Sequence, residues 1–121
     1  MSKVIHAHEV ICALILDENF HALLTLRPVN GFRPQLWEYP NGRLLPDETA
    51  QTGARRIIQQ TTALHADIGI ELGSHTFVWD ALVTFRLFAT HNVHGVAQPH
   101  AAEDIGYFAP LYALKYCRLA P

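Results

Sequence analysis

Residues 37–64, WEYPNGRLLPDETAQTGARRIIQQTTAL, constrain this chain more than any other stretch. An aromatic segment at 37–39 reads as a short strand. Pro40-Asn41-Gly42 reads as a tight turn. A helix then follows, with Asp47 as its expected cap and Glu48 and Thr49 in its first turn, where negative charge suits the helix dipole. Ala50, Ala54, Ile57, Ile58 and Thr61 recur at helical spacing through Thr62. Gly53 sits mid-helix, at a cost of roughly 1 kcal/mol relative to alanine. A glycine tolerated there implies close packing, and it is expected to face a sheet.

The flanking segments supply that sheet. Residues 4–16 are rich in β-branched and aliphatic side chains and end at Asp17-Glu18-Asn19, a turn signal. Residues 20–26 read as the hairpin partner. Residues 27–34 hold two prolines and a glycine and are expected to form a loop. Segments 66–78 and 82–89 read as two long strands, 91–100 as a loop, 105–108 as a last short strand and 110–116 as a C-terminal helix. Strands, a helix, strands and a helix imply an α+β layer fold. With 121 residues, half of them hydrophobic and 17% charged, the chain is expected to be a single domain, 1–121, with a real core.

The central stretch resembles the Nudix box, G-x5-E-x7-R-E-U-x-E-E-x-G-U, where U is a bulky aliphatic residue. Gly42, Glu48, Arg56, Ile58 and Leu64 fall on its glycine, first glutamate, arginine, first U and last U. The later run EDIGYFAP looks like the family's acid before an aromatic strand. The resemblance implies an α/β/α sandwich with a mixed sheet. It also implies hydrolysis of a nucleoside diphosphate linked to another group, helped by Mg2+ or Mn2+.

The residues depart from that chemistry. Hard cations need several carboxylate or carbonyl oxygens in one place. The family's helix supplies them from the glutamates of E-x-x-E-E, set on one helix face. Here those positions hold Ile57, Gln60 and Thr61, and the motif's second glycine is Ala63. No acid stands between Glu48 and Asp67, while Arg55 and Arg56 add positive charge. The box is degenerate, and loss of ordinary metal-dependent catalysis is expected. The leading reading is a pseudoenzyme that binds a nucleotide-like ligand or a partner. One alternative is a divergent pyrophosphohydrolase with a relocated site, for which Mg or Mn would be the cofactor. Another is a structural or interaction domain, such as a homodimer.

Particular residues carry these alternatives. Glu48 either pairs with Arg56 at the helix start or approaches a metal from outside its first ligands. Glu48 and Glu103 are the candidate catalytic acids. Gln60, Glu103 and Asp104 are the candidate residues of a reduced metal site. Arg27, Arg33 and Arg43 are candidates for phosphate contact. Phe32 and Trp79 are the aromatics least expected to be buried, while Trp37, Tyr39, Phe77 and Phe85 fit either a core or a ligand pocket.

His6 and His8 share a strand face, and His91, His94 and His100 fall together in sequence, so both groups offer imidazoles to a transition metal. No Cys or HExxH spacing supports such a site. Cys12 and Cys117 match no metal or redox spacing, which points to a reduced, cytoplasmic protein. The net charge of -2 gives no footprint for a nucleic acid polymer or an anionic membrane.

Overall fold

A computed structural model describes residues 7–26, 37–78, 81–99 and 104–108. Seven strands and one helix are formed among them: β1 (Ala7–Leu14), β2 (Ala22–Leu26), β3 (Trp37–Glu38), β4 (Asn41–Arg43), α1 (Ala50–Thr62), β5 (His65–Val78), β6 (Leu82–His94) and β7 (Asp104–Phe108). One sheet has four strands in the order β4-β1-β6-β5 and is mixed, with β1 parallel to β6 and the other pairs antiparallel. The second sheet has three antiparallel strands, β3-β2-β7. The α+β class expected from the sequence is therefore observed. The expected helix at 110–116 lies outside the described residues.

The core forms where α1 lies on the mixed sheet. Alternation along β1 sends Ile11 and Ala13 to the helix side, where they join Ile15. Ala54, Ile57 and Ile58 meet them from α1, and Ala66, Ile68 and Phe88 from β5 and β6. Among the described residues no helix is long and apolar enough to cross a membrane.

Two local expectations change. Residues 20–26 do not extend a hairpin with β1. A turn does form, because Asp17 Oδ1 accepts the backbone N–H groups of Asn19 and His21 at 2.9 and 2.8 Å. A bridge between Leu16 and Ala22 follows it. Both edges of β1 are already taken by β4 and β6, so β2 passes to the other sheet. Residues 40–42 are not a tight turn either. Pro40 is buried and its carbonyl accepts Ala13 N–H at 2.9 Å. Asn41, Gly42 and Arg43 then run as a strand against Cys12, Ile11 and Val10. This segment carries the chain from one sheet to the other and delivers it to the helix.

Candidate functional site

The loop from Leu44 to Thr49 sets the start of α1. Pro46 and Asp47 occupy the middle of a turn closed by Glu48 N–H donating to Leu45 O at 3.2 Å. Asp47 takes a positive φ of 63° there, which this residue type tolerates. It is thereby removed from the cap. Thr49 caps instead, its hydroxyl accepting Thr52 N–H at 3.2 Å. Glu48 consequently precedes the helix, and the first turn holds no acid.

That displacement gives Glu48 a different task. Its carboxylate receives Arg56 Nε at 2.8 Å and Arg56 Nη2 at 2.9 Å, a bidentate, charge-assisted pair. Leu45 N–H donates to the same carboxylate at 3.1 Å. Arg56 also reaches Arg43 O at 2.8 Å and Gln60 Oε1 at 3.0 Å. The guanidinium thus ties β4, the loop and the middle of the helix together. It holds the Glu48 carboxyl down to about 2, with the Leu45 N–H adding to the effect. The Arg56 cation is stabilised in return.

Gly53 makes this clasp possible. A Cβ at that position would stand 2.5 Å from Leu44 Cδ1 and 2.9 Å from Glu48 Oε1. The close approach is therefore to the loop, and not to a sheet as the sequence suggested. Ala63, in place of the motif's glycine, ends the helix in the left-handed conformation with φ 63°. Its N–H donates to Gln59 O at 3.0 Å.

The face expected to have lost its acids is now defined. Ile57 is 2% exposed and belongs to the core. Its Cγ1 lies 2.9 Å from where a Cβ on Gly42 would sit, so hydrocarbon fills the space beneath that backbone. Gln60 spends its carbonyl oxygen on Arg56. Thr61 donates its hydroxyl to Ile57 O at 2.7 Å. Asp104 begins β7 opposite Leu26 in the second sheet and accepts Ile105 N–H at 2.7 Å. Glu103 lies outside the described residues. Among the described residues, no three His, Cys, Asp or Glu side chains converge as metal ligands. A divalent ion on this helix would organise water and neutralise charge on a pyrophosphate, and the residues present do not fit one.

An apolar cavity of about 350 Å³ opens on the face of the mixed sheet opposite α1. It is lined by Cys12, Tyr39, His75, Phe77, Phe85 and Leu87, among others. The rings of Phe77 and Phe85 meet edge to face, their centroids 5.6 Å apart. His75 lies 4.4 Å from Phe77. Burial, with the nearby Glu38 charge, pushes the Cys12 thiol up to about 12, so it lines this space as an inert, protonated group. Tyr39, Phe77 and Phe85 thus line a pocket, whereas Trp37 packs edge to face on Phe108 at 5.3 Å. Cys12, His75 and Leu87 were missed from the sequence. The signal for His75 and Leu87 is alternation with Phe77 and Phe85 along β5 and β6, while Cys12 joins them only by standing opposite Leu87 on β1.

Arg43 lines a different depression, of about 410 Å³, with His8, Glu9 and Pro46. Arg27, Phe32, Arg33 and Trp79 lie outside the described residues. His91 and His94 belong to β6 and not to a loop, while His6 and His100 are outside the description.

This arrangement is that of a Nudix-type domain, and comparison with known proteins agrees. No family model matches the chain. It is similar to the CTP pyrophosphohydrolase of Escherichia coli K12, with 27% identity over 112 residues, covering 92% of this chain and 82% of that protein. Among solved structures it is similar to the E. coli ORF135 protein, with a TM-score of 0.85 and 25% identity over 97% of this chain and 83% of that one. The MutT protein of Methanosarcina mazei Go1 gives a TM-score of 0.88 at 21% identity, covering 98% of this chain and 88% of that one. A MutT NUDIX hydrolase from Burkholderia pseudomallei gives 0.75 at 15%, covering 86% and 84%. The chain has the Nudix fold and is similar in sequence to Nudix hydrolases.

Proposed function

We propose that this protein is a Nudix-fold binder of a nucleotide-like ligand with little or no Mg2+-dependent hydrolysis. One observation carries the reading. The polar side chains at the motif's glutamate positions, Glu48, Gln60 and Thr61, are already engaged in holding the fold. Glu48 is closed by Arg56 and Leu45, Gln60 by Arg56, and Thr61 by its own helix. Ile57 adds a buried aliphatic chain where the motif has a carboxylate. Removing hard oxygen ligands from a site removes its affinity for Mg2+ far more readily than it removes the surrounding fold.

The ligand in this reading occupies the cavity lined by Tyr39, Phe77 and Phe85, whose rings suit the face of a base. The name of the E. coli relative makes cytidine nucleotides the first to test. Arg27, Arg33, Arg43, Phe32 and Trp79 remain our candidates for further ligand contacts. A nucleotide panel tests the proposal, with melting temperature and phosphate or pyrophosphate release followed in Mg2+, in Mn2+ and in chelator. Stabilisation by a nucleotide without release is expected, since a ligand of the native state must raise its stability. The opposed reading assigns hydrolysis to a relocated site built on Glu103, Asp104 and Glu48. Metal-dependent release that Glu48→Gln abolishes would establish it and overturn ours.

A further inference from the structure

A second cluster of chemistry-bearing side chains lies at the open end of the β5–β6 ladder, away from the box. His65 stands opposite His94, and Asp67 opposite His91. Between these pairs, three residue steps on β6 oppose two on β5, and Asn92 takes a positive φ of 50°. This irregularity is a β-bulge. Its consequence is that His91 and His94, an odd number of residues apart, fall on one side of the ladder. There they join His65 and Asp67, which share a side because they are two residues apart on a strand.

The geometry of the His65–His94 pair suits a chelate. Directly opposed side chains on adjacent strands have Cβ atoms about 5 Å apart, within reach of one shared ion. The two rings are stacked, 19° apart in plane and 5.5 Å between centroids, so the exposed His65 ring turns about its side-chain torsions to aim a nitrogen at an ion held by His94. His94 Nδ1 is 3.0 Å from Asn92 O. A carbonyl only accepts, so Nδ1 carries the proton of the neutral ring and Nε2 presents its lone pair. A histidine fixed through one nitrogen to a backbone carbonyl is the usual arrangement behind a metal-ligating imidazole.

Asp67 supplies nearby negative charge. It accepts Asn92 Nδ2 at 2.9 Å and lies 4.0 Å from His91 Nε2. It also offsets the positive charge of Arg55, which lines the adjoining depression of about 330 Å³ with Gln59, His65, Asp67 and His94. His91 and Asp67 have more than half of their side-chain surface exposed, and His65 and His94 are exposed too, so all four are open to an incoming ion.

We propose that His65 and His94 form a two-imidazole chelate for a late first-row divalent transition metal such as Zn2+, with the Asp67 carboxylate compensating part of its charge. No third donor converges with the pair among the described residues, so water completes the coordination. Imidazole ligands select Zn2+, Ni2+ or Cu2+ over Mg2+. Such a site binds more weakly than a closed four-ligand zinc site and exchanges its ion.

The test is calorimetric titration of the full-length protein with Zn2+, beside His65→Gln, His94→Gln and His8→Gln. Melting temperatures without metal confirm that each variant is folded. One equivalent of Zn2+ is expected to bind the unaltered chain, and to bind His65→Gln and His94→Gln about tenfold more weakly or worse. His8→Gln is expected to behave as the unaltered chain. Added Cu2+ is expected to broaden the ring resonances of His65 and His94 before those of His8 and His21. No Zn2+ binding to the unaltered chain overturns the proposal. So does binding that survives either His65→Gln or His94→Gln undiminished.

Discussion

Replacing Gly53 by alanine sets two physical effects of opposite sign against each other. In the middle of a helix, alanine is favoured over glycine by about 1 kcal/mol. On that ground alone Gly53→Ala would stabilise the protein. The new methyl group, however, would meet Leu44 Cδ1 at 2.5 Å and Glu48 Oε1 at 2.9 Å. Leu44 can swing its terminal methyl aside. Glu48 cannot move without loosening the bonds from Arg56 and Leu45 that hold its carboxylate. Overpacking of this kind costs about 1–3 kcal/mol. The clash therefore outweighs the helix gain, and a net loss of about 1 kcal/mol is expected. For a chain of 121 residues that corresponds to a melting temperature lower by about 4 °C. In a Glu48→Ala background the obstacle is gone and the same substitution should become stabilising, by about 1 kcal/mol. Urea denaturation of the four proteins of this cycle measures both signs. A rise in stability for Gly53→Ala in the unaltered chain would refute the reasoning, because it would mean that Glu48 is not pinned against the helix.

Other outcomes follow from the same contacts. Glu48 has its carboxyl lowered from 4.5 to about 2 in the folded protein. The stability it contributes is therefore complete above pH 4.5 and is lost as pH falls towards 2. Acid unfolding curves should lose part of that limb in Glu48→Gln; an unchanged curve would show that the clasp contributes nothing. Ala63→Gly should stabilise by about 1 kcal/mol, since it relieves an alanine held in the left-handed region. Thermal denaturation reads this directly, and a decrease would contradict it. Ile57→Ala should cost about 2–5 kcal/mol, as for other buried aliphatic truncations. A loss under about 1 kcal/mol in denaturant titration would mean that Ile57 is not a core residue.

Much of the fold was legible because its cues are local. Helical spacing of Ala54, Ile57 and Ile58 located α1, and segments 66–78 and 82–89 located most of β5 and the first part of β6. Sheet membership was not legible in the same way. Nothing in residues 20–26 reveals that β4 and β6 already occupy both edges of β1, because strand pairing is decided by distant residues. The cap was misplaced for a subtler reason. Asp47 and Thr49 are both good capping residues, and only the turn through Pro46 decides between them. At the box, the missing carboxylates could be read directly from Ile57, Gln60 and Thr61. That Gln60 and Glu48 converge on one guanidinium required coordinates. The histidine cluster was legible only in part. His91 and His94 are close in sequence, but their alignment with His65 depends on the bulge at Asn92.

The central claim is that the box helix now holds structure and no longer holds a catalytic metal. Incubation with cytidine and other nucleoside triphosphates in saturating Mg2+, with release of phosphate and pyrophosphate followed over time, tests it most directly. The account predicts release at the rate of the protein-free control, and the same nucleotide-induced rise in melting temperature with Mg2+ as with chelator. Release that depends on Mg2+, and that Glu48→Gln abolishes while the variant stays folded, would contradict it.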